Sequence, residues 1–537
     1  MAASLSSDGL KDFGIRLAAC FLILWTPFFF FSGYRGHPVP AASLIYSAIL
    51  FAVAALVVAL IIGRSQGIRR VVVFTLIVCL FLNVQFRWFD DAVAYAGAVL
   101  IAGLFWLIRQ HLAVILATMF ATVLVASVVV TPADQYRDRT IVDDRGADET
   151  RPAPGMIVHM IMDEFAGIQG IPENIAGGPA LKSDIADFFQ SYGFALQRRA
   201  ISEYIASRSS ISGILNFEAS ATPEKNFHGK RPYILKNNAY FELLHQRKYR
   251  IHVYQSTYMD FCAEAPMPLA LCFTYRYDGT DWLKSVALGD YQKMTVLLGM
   301  YFNLPGIFES LWKSYVGLRD TAEKIDLSLP AIMAWDGSAA SANAASAFDI
   351  FRETVVAAPS GTAHFAHLLL PHSPYVFDRD CSLRTPPFDW LSHRPLHRKS
   401  NTTVGRERRY GQYFAQVRCT LRHLRTLFDG LKEAGKWADT TIILHGDHGS
   451  RIYETAPRAK NRQHLTAQDL TDGYSTLFAV KSTNAKAIGE NKTTPISRLL
   501  ARVMGASAVA RDDRPPVVYL EGRDDDPWTA TPWPESP

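Results

Sequence analysis

Apolar and polar positions divide this 537-residue chain into two unlike parts. Five long apolar runs, 17–31, 41–63, 71–86, 92–108 and 112–130, lie one after another at the amino-terminal end, with the charged residues gathered between them. Each approaches the roughly 20 apolar residues that carry a helix across a bilayer. A cleavable signal would stop after one short apolar core, so the repetition predicts a membrane domain over residues 1–131 instead. The third run is the shortest and carries Asn83 and Gln85.

Residues 132–155 break the pattern with Asp, Arg and Pro and no period, and read as a linker. Beyond it the period changes. Short apolar runs at 156–162, 250–254, 364–370 and 440–444 read as buried strands, and 179–192 and 406–431 read as helices. In the second helix Phe414, Val417, Leu421, Leu424 and Phe428 recur at helical spacing, which predicts a core-facing stripe. Strands alternating with helices imply a mainly parallel, doubly wound sheet. The predicted fold class is therefore α/β: a bundle of about five transmembrane helices, then a doubly wound domain over 156–520 and a tail over 521–537. A further apolar segment, 296–316, suits a core helix somewhat better than one lying on the membrane surface.

Basic residues orient the spans. Lys11 and Arg16 precede the first, Arg64, Arg69 and Arg70 follow the second, and Arg109 follows the fourth. The opposite loops hold only Arg35 and Arg87, the latter close to Asp90 and Asp91. Positive-inside bias places the amino terminus in the cytoplasm, and an odd number of spans places the large domain outside. Four of the six cysteines, Cys262, Cys272, Cys381 and Cys419, fall in that domain, an even number that permits two disulfides in an oxidising compartment. Pairing Cys262 with Cys272 closes a short loop and leaves Cys381 for Cys419. The net charge of +5 comes with no basic stripe interleaved with aromatics, which argues against a nucleic-acid partner.

Candidate chemistry sits where the apolar runs end. Thr440-Thr441-Ile442-Ile443-Leu444-His445-Gly446-Asp447-His448-Gly449 delivers a carboxylate and an imidazole to a strand's carboxyl end, where ligands bind in open α/β sheets. Such a pair suits a divalent metal. The run 157–162 ends likewise on Asp163 and Glu164, although a helix N-cap would also explain Asp163. The segment Ser207-Arg208-Ser209-Ser210-Ile211-Ser212 places hydroxyls at a helix entry, a position that favours phosphate. The residue chemistry there does not choose among its serines; Arg208 could balance phosphoryl charge. In Leu370-Pro371-His372-Ser373-Pro374, His372 is held between prolines, able to reach a phosphoryl oxygen or a leaving group.

In order and spacing these motifs resemble the alkaline phosphatase and sulfatase superfamily, most closely its membrane-anchored phosphoglycerol and phosphoethanolamine transferases. The resemblance spans nearly the whole chain and implies five spans, a linker and an extracytoplasmic catalytic domain. It implies Asp163 as the first metal ligand and Asp447 with His448 as the later ligand pair. It implies Ser207 as nucleophile and ligand, once Ser210, Ile211 and Leu215 are aligned, and His372 to Pro374 as the substrate-contacting turn. His464, in the loop after the pair, is a further substrate-contact candidate. Two departures narrow the class: the nucleophile is serine where most of these transferases have threonine, and no formylglycine signature surrounds it. The Asp-x-x-x-His of two-metal relatives is also missing after His372, so one divalent ion (Mn, Mg or Zn) is expected.

The activity implied is transfer of a phospho-alcohol from a membrane phospholipid to a periplasmic glycan or lipid acceptor through a covalent serine intermediate. The protein would sit in a bacterial inner membrane with its catalytic domain in the periplasm. A metal-dependent phosphomonoester or phosphodiester hydrolase would use the same residues. A non-catalytic membrane scaffold is the alternative of another class.

Overall fold

The computed structural model describes residues 7–34, 41–63, 67–86, 92–129, 138–142, 153–229, 232–280, 282–286, 288–301, 339–384, 403–482, 492–506, 515–522 and 528–534, with 318, 321–322 and 327. Helices form on all five apolar runs: α1 (Ser7–Tyr34), α2 (Ala41–Ile62), α3 (Ile68–Phe86), α4 (Ala92–Leu107) and α5 (Leu112–Val129). Two are long and apolar enough to cross a membrane singly, over Gly9–Gly33 and Leu44–Ile62. α4 and α5 pass only as a pair bent by 117°, one broken span or a re-entrant loop. α3 begins on Ile68-Arg69-Arg70 and runs for 19 residues. The described residues thus hold two spans, or three if the bent pair counts as one, where the apolar runs alone suggested five. The difference is physical: α4, at 16 residues, covers about 24 Å of a hydrocarbon core roughly 30 Å thick.

The second part is built on an eight-stranded sheet. Its strands are β1 (Arg139–Val142), β2 (Met156–Met162), β3 (Ala195–Leu196), β4 (Arg250–Ser256), β5 (Leu271–Tyr275), β6 (Thr362–Leu368), β7 (Thr440–His445) and β8 (Phe478–Lys481). They lie in the order β1-β5-β4-β6-β2-β7-β8-β3. The five central strands run parallel, and the pairings at both edges are antiparallel. β2 shows why the centre reads as unbroken apolar sequence. Met156, Val158, Met160 and Met162 enter one core and Ile157 and Ile161 the other, so neither face meets water. Each such burial contributes about 1.5–3 kcal/mol.

Helices cover the sheet: α6 (Gly178–Ser191), α7 (Ser207–Leu215), α8 (Asp290–Tyr301), α9 (Ala340–Ala357), α10 (Thr403–Glu433) and α11 (Ala467–Tyr474). The α10 stripe read from spacing is buried throughout, as core. The segment 296–316 is helical as far as Tyr301; residues 302–316 lie outside the described residues. Met294, Val296, Leu297 and Tyr301 of α8 are buried. Tyr301 meets Phe28 of α1 edge-on at 5.4 Å and Tyr291 meets Tyr46 of α2 at 6.0 Å, so α8 ties the sheet domain to the apolar helices. Disulfides join Cys262 to Cys272 and Cys381 to Cys419.

Candidate active site

Three adjacent strands, β6, β2 and β7, release their chains at one edge of the sheet. β2 ends into Asp163, whose N–H donates to Leu368 O across the gap to β6 (2.9 Å). β7 ends into Gly446, Asp447 and His448, and His367 is the next-to-last residue of β6. One ligand atom each from Asp163, His367 and Asp447 lies within 4.8 Å of the others. His448 Nε2 joins them, 3.6 Å from Asp163 Oδ1 and 3.2 Å from Asp447 Oδ2. Ser207, the first residue of α7, places Oγ 3.2 Å from His448 Nε2 and 3.4 Å from Asp163 Oδ2. All five side chains are buried.

These donors fit one divalent cation. Asp447 Oδ1 is held by the N–H groups of Glu164 and His448 at 3.1 and 3.0 Å, while Oδ2 is buried without a hydrogen-bond partner among the described residues. Asp163 Oδ1 and both ring nitrogens of His367 are in the same condition. His448 Nδ1 donates to Gly449 O (2.9 Å), leaving the Nε2 lone pair turned into the cluster. Burial, followed by the charge of Asp163, pushes the Asp447 carboxyl well above its ordinary range. Burial also works to raise Asp163, but His372, His367, His448 and Arg451 outweigh it and hold that carboxyl well below the usual range. Burial and then Arg451 hold the His448 imidazole down at about 3. Left to themselves, two buried carboxyls at this separation keep one proton between them; a cation lets both ionise.

Of the four serines on α7, Ser207 is the one that faces the cluster. Ser210 Oγ donates to Asp447 O and meets Ser202 Oγ at 2.8 Å, so it anchors the ligand turn. Ser209 and Ser212 have buried hydroxyls with no partner among the described residues. The segment leading into α7 carries Glu203, buried and bonded to Ser497 Oγ, its carboxyl raised by burial from 4.5 to about 7. The unfolded chain ionises this group near 4.5 and the native chain near 7, so the native state binds more protons between them. Its contribution is present below 4.5 and lost as pH rises through 7, a swing of about 3 kcal/mol. Glu203→Gln should therefore raise stability at pH 8 and change it little at pH 4, as read by thermal unfolding at both.

The glycines flanking the Asp-His pair permit close backbone packing. A Cβ on Gly446 would overlap the Phe165 carbonyl oxygen, and one on Gly449 the Asp472 carbonyl oxygen. Gly449→Ala is expected to shift His448 and lower metal affinity about 10–100-fold with the fold retained, as metal titration would show.

One face of α10 clamps the surrounding loops. Arg406 donates to Asp472 Oδ2 (3.1 Å from Nε) and to Ile452 O (3.0 Å), and Tyr410 OH donates to Asp472 Oδ1 (2.6 Å). Tyr413 OH donates to Glu164 O and accepts from Ala166 N, both at 2.8 Å. Gln416 Nε2 donates to Pro371 O (2.9 Å) and His372 O (2.8 Å).

Beside the cluster lies a second group, in which His372, read from its motif, is joined to Glu164 by Arg451, which motif reading did not find. Arg451 Nε donates to Glu164 Oε1 (2.9 Å) and its Nη2 to His372 Nε2 (3.1 Å). Since Arg only donates, His372 Nε2 accepts, and its proton sits on Nδ1, which donates to Ser373 O. Glu164 and Arg451 both take positive φ, 63° and 55°, strain of the kind held at functional sites. The Arg208 guanidinium donates to Tyr233 OH (3.0 Å) and lies over that ring at 5.3 Å. His464 ends an exposed 3₁₀ turn, Ala459–His464, and makes no hydrogen bond to the cluster among the described residues. The signals for the missed residues were faint: His367 precedes the His372 turn by five positions, and Arg451 follows His448 by three.

Residues 236–477 match the Sulfatase family. The match covers a little under half of the chain and is consistent with the alkaline phosphatase/sulfatase superfamily. The matched stretch contains His367, His372, Asp447, His448 and Arg451, whereas Asp163 and Ser207 precede it and join the site through the fold. No curated protein matches its sequence. Among solved structures, the C-terminal periplasmic domain of EcEptC from Escherichia coli, in complex with Zn, is similar at a TM-score of 0.40 and 10% identity, over 73% of this chain and 95% of that one. Phosphonate monoester hydrolase SpPMH from Silicibacter pomeroyi is similar at 0.40 and 13%, over 70% and 81%. BT33494S-sulf of Bacteroides thetaiotaomicron is similar at 0.39 and 12%, over 71% and 83%.

Proposed function

We propose that this chain is a membrane-anchored transferase that moves a phospho-alcohol head group, phosphoglycerol or phosphoethanolamine, from a phospholipid to a glycan or glycolipid. The observation that carries the reading is Ser207 Oγ at the start of a helix, 3.2 Å from His448 and 3.4 Å from Asp163. A hydroxyl there sits at the positive end of the α7 dipole, which favours an incoming phosphate.

Asp163, His367, Asp447 and His448, with Ser207, would hold one divalent ion, Mn, Mg or Zn. When bound, that ion supplies Lewis-acid stabilisation of phosphoryl charge and makes the serine hydroxyl more acidic. Ser207 Oγ attacks phosphorus; the Oγ–P bond forms as the P–O bond to diacylglycerol breaks, and the serine proton ends on the departing diacylglycerol oxygen. Asp163 Oδ2 is within reach of that proton. An acceptor hydroxyl then attacks, the Oγ–P bond breaks, and the acceptor's proton restores Ser207. Arg451 and His372, beside the cluster, are the groups to meet the phosphoryl oxygens and leaving group.

The docking of α8 on α1 and α2 supports a lipid donor, since it ties the site to the apolar helices. Two disulfides in the catalytic domain support an oxidising compartment, hence an odd number of spans with the domain in the periplasm of a bacterial inner membrane. The test is product analysis with purified full-length chain, labelled phospholipid and a glycan acceptor. Head group on the glycan supports the transferase; free head group released at the same rate without acceptor makes the protein a hydrolase.

A further inference from the structure

The helical domain buries two cations that its catalytic partner does not explain. Arg16 of α1 and Arg70 of α3 are only 2% and 1% exposed. They share one carboxylate, Asp12, with Arg16 Nε 3.3 Å from Oδ2 and Arg70 Nη2 3.5 Å from Oδ1. The trio therefore carries a net charge of +1. Arg16 Nη1 and Arg70 Nε are buried with no hydrogen-bond partner among the described residues. Guanidinium does not deprotonate in proteins, and a buried cation left with open N–H groups is costly unless an anion completes it. Charged groups within a membrane domain mark binding sites for the same reason.

The place in the fold indicates which anion. Arg16 lies near the start of α1, and Arg70 at the start of α3, just after α2 ends. Phe28, which meets α8 of the catalytic domain, is twelve residues further along α1, about 18 Å away. Resting on the reading of these helices as membrane-embedded, the trio sits at the bilayer boundary far from Ser207. We propose that Arg16 and Arg70 bind the phosphate of an anionic phospholipid head group, at a site separate from the catalytic one. Two guanidinium groups offer donor forks that match a phosphodiester, and Asp12, 40% exposed, limits the site to a single negative charge.

The experiment is native mass spectrometry of the full-length chain in detergent, titrated with phosphatidylglycerol, diacylglycerol or inorganic phosphate. Wild type should retain phosphatidylglycerol and not diacylglycerol. Arg16→Gln with Arg70→Gln should weaken retention about 10–100-fold, the worth of one charge-assisted hydrogen bond. Asp12→Asn removes the competing carboxylate and should leave retention equal or tighter, which guards against a double variant that merely misfolds. Displacement of lipid by equimolar inorganic phosphate would assign the same anion site to free phosphate and overturn the lipid assignment. Equal retention of diacylglycerol, or loss of lipid in Asp12→Asn, overturns the site itself. Head-group transfer at Ser207 is measured separately, so the two readings fail independently.

Discussion

Ser207→Ala is expected to lower turnover by about a thousandfold or more while leaving metal content and fold unchanged. The hydroxyl is one of five donors at the cluster, so its removal still leaves Asp163, His367, Asp447 and His448 to hold an ion. What disappears is the atom that bonds to phosphorus. Mass spectrometry of the wild-type protein taken from its own membranes should find a phospho-alcohol on Ser207, and the variant should carry none. An adduct on Ser209 or Ser210 instead would contradict the geometry, because Ser210 Oγ is committed to Asp447 O and both lie off the cluster.

Asp447→Asn should weaken metal binding by more than about a hundredfold, beyond the 10–100-fold typical of groups that only support a ligand. Its effect on the metal-free protein should have the opposite sign. Asp447 is pushed well above the usual range by burial and by Asp163, so the metal-free site favours its neutral form. Asparagine copies that neutral state and removes the like-charge conflict. Metal-free variant should therefore melt at or above the metal-free wild type at neutral pH. Wild type should gain stability on adding metal, and the variant should gain little. Isothermal titration and paired melting curves with and without metal decide it: a variant that melts lower without metal and still gains stability with it would remove Asp447 from the ligand set.

The sequence made the strand ends legible because they combine two strong local signals. An unbroken apolar run marks a strand buried on both faces, and a charged residue directly after it has few structural uses. Asp163, Asp447 and His448 were found this way. His367 was hidden by the same rule: it lies inside a strand, as do His159, His252, His364 and His445, which are core or packing groups. Only three-dimensional register, which pairs His367 with Ile161 two residues before Asp163, sets it apart. Arg451 lies in a loop without period, and its partner Glu164 was overshadowed by Asp163. The choice among the α7 serines depends on helix phase, a few tens of degrees that no composition or spacing records. The span count diverged because apolar run length ignores the bend between α4 and α5.

The α10 clamp has a consequence for how this site opens. Residues 406, 410, 413 and 416 hold the turns after β2, β6 and β7 from a single rigid rod, so these turns do not have independent excursions. Backbone amides of all three should exchange with solvent deuterium as one cooperative unit, at the free energy needed to lift the helix, rather than each at the lower cost of a loose loop.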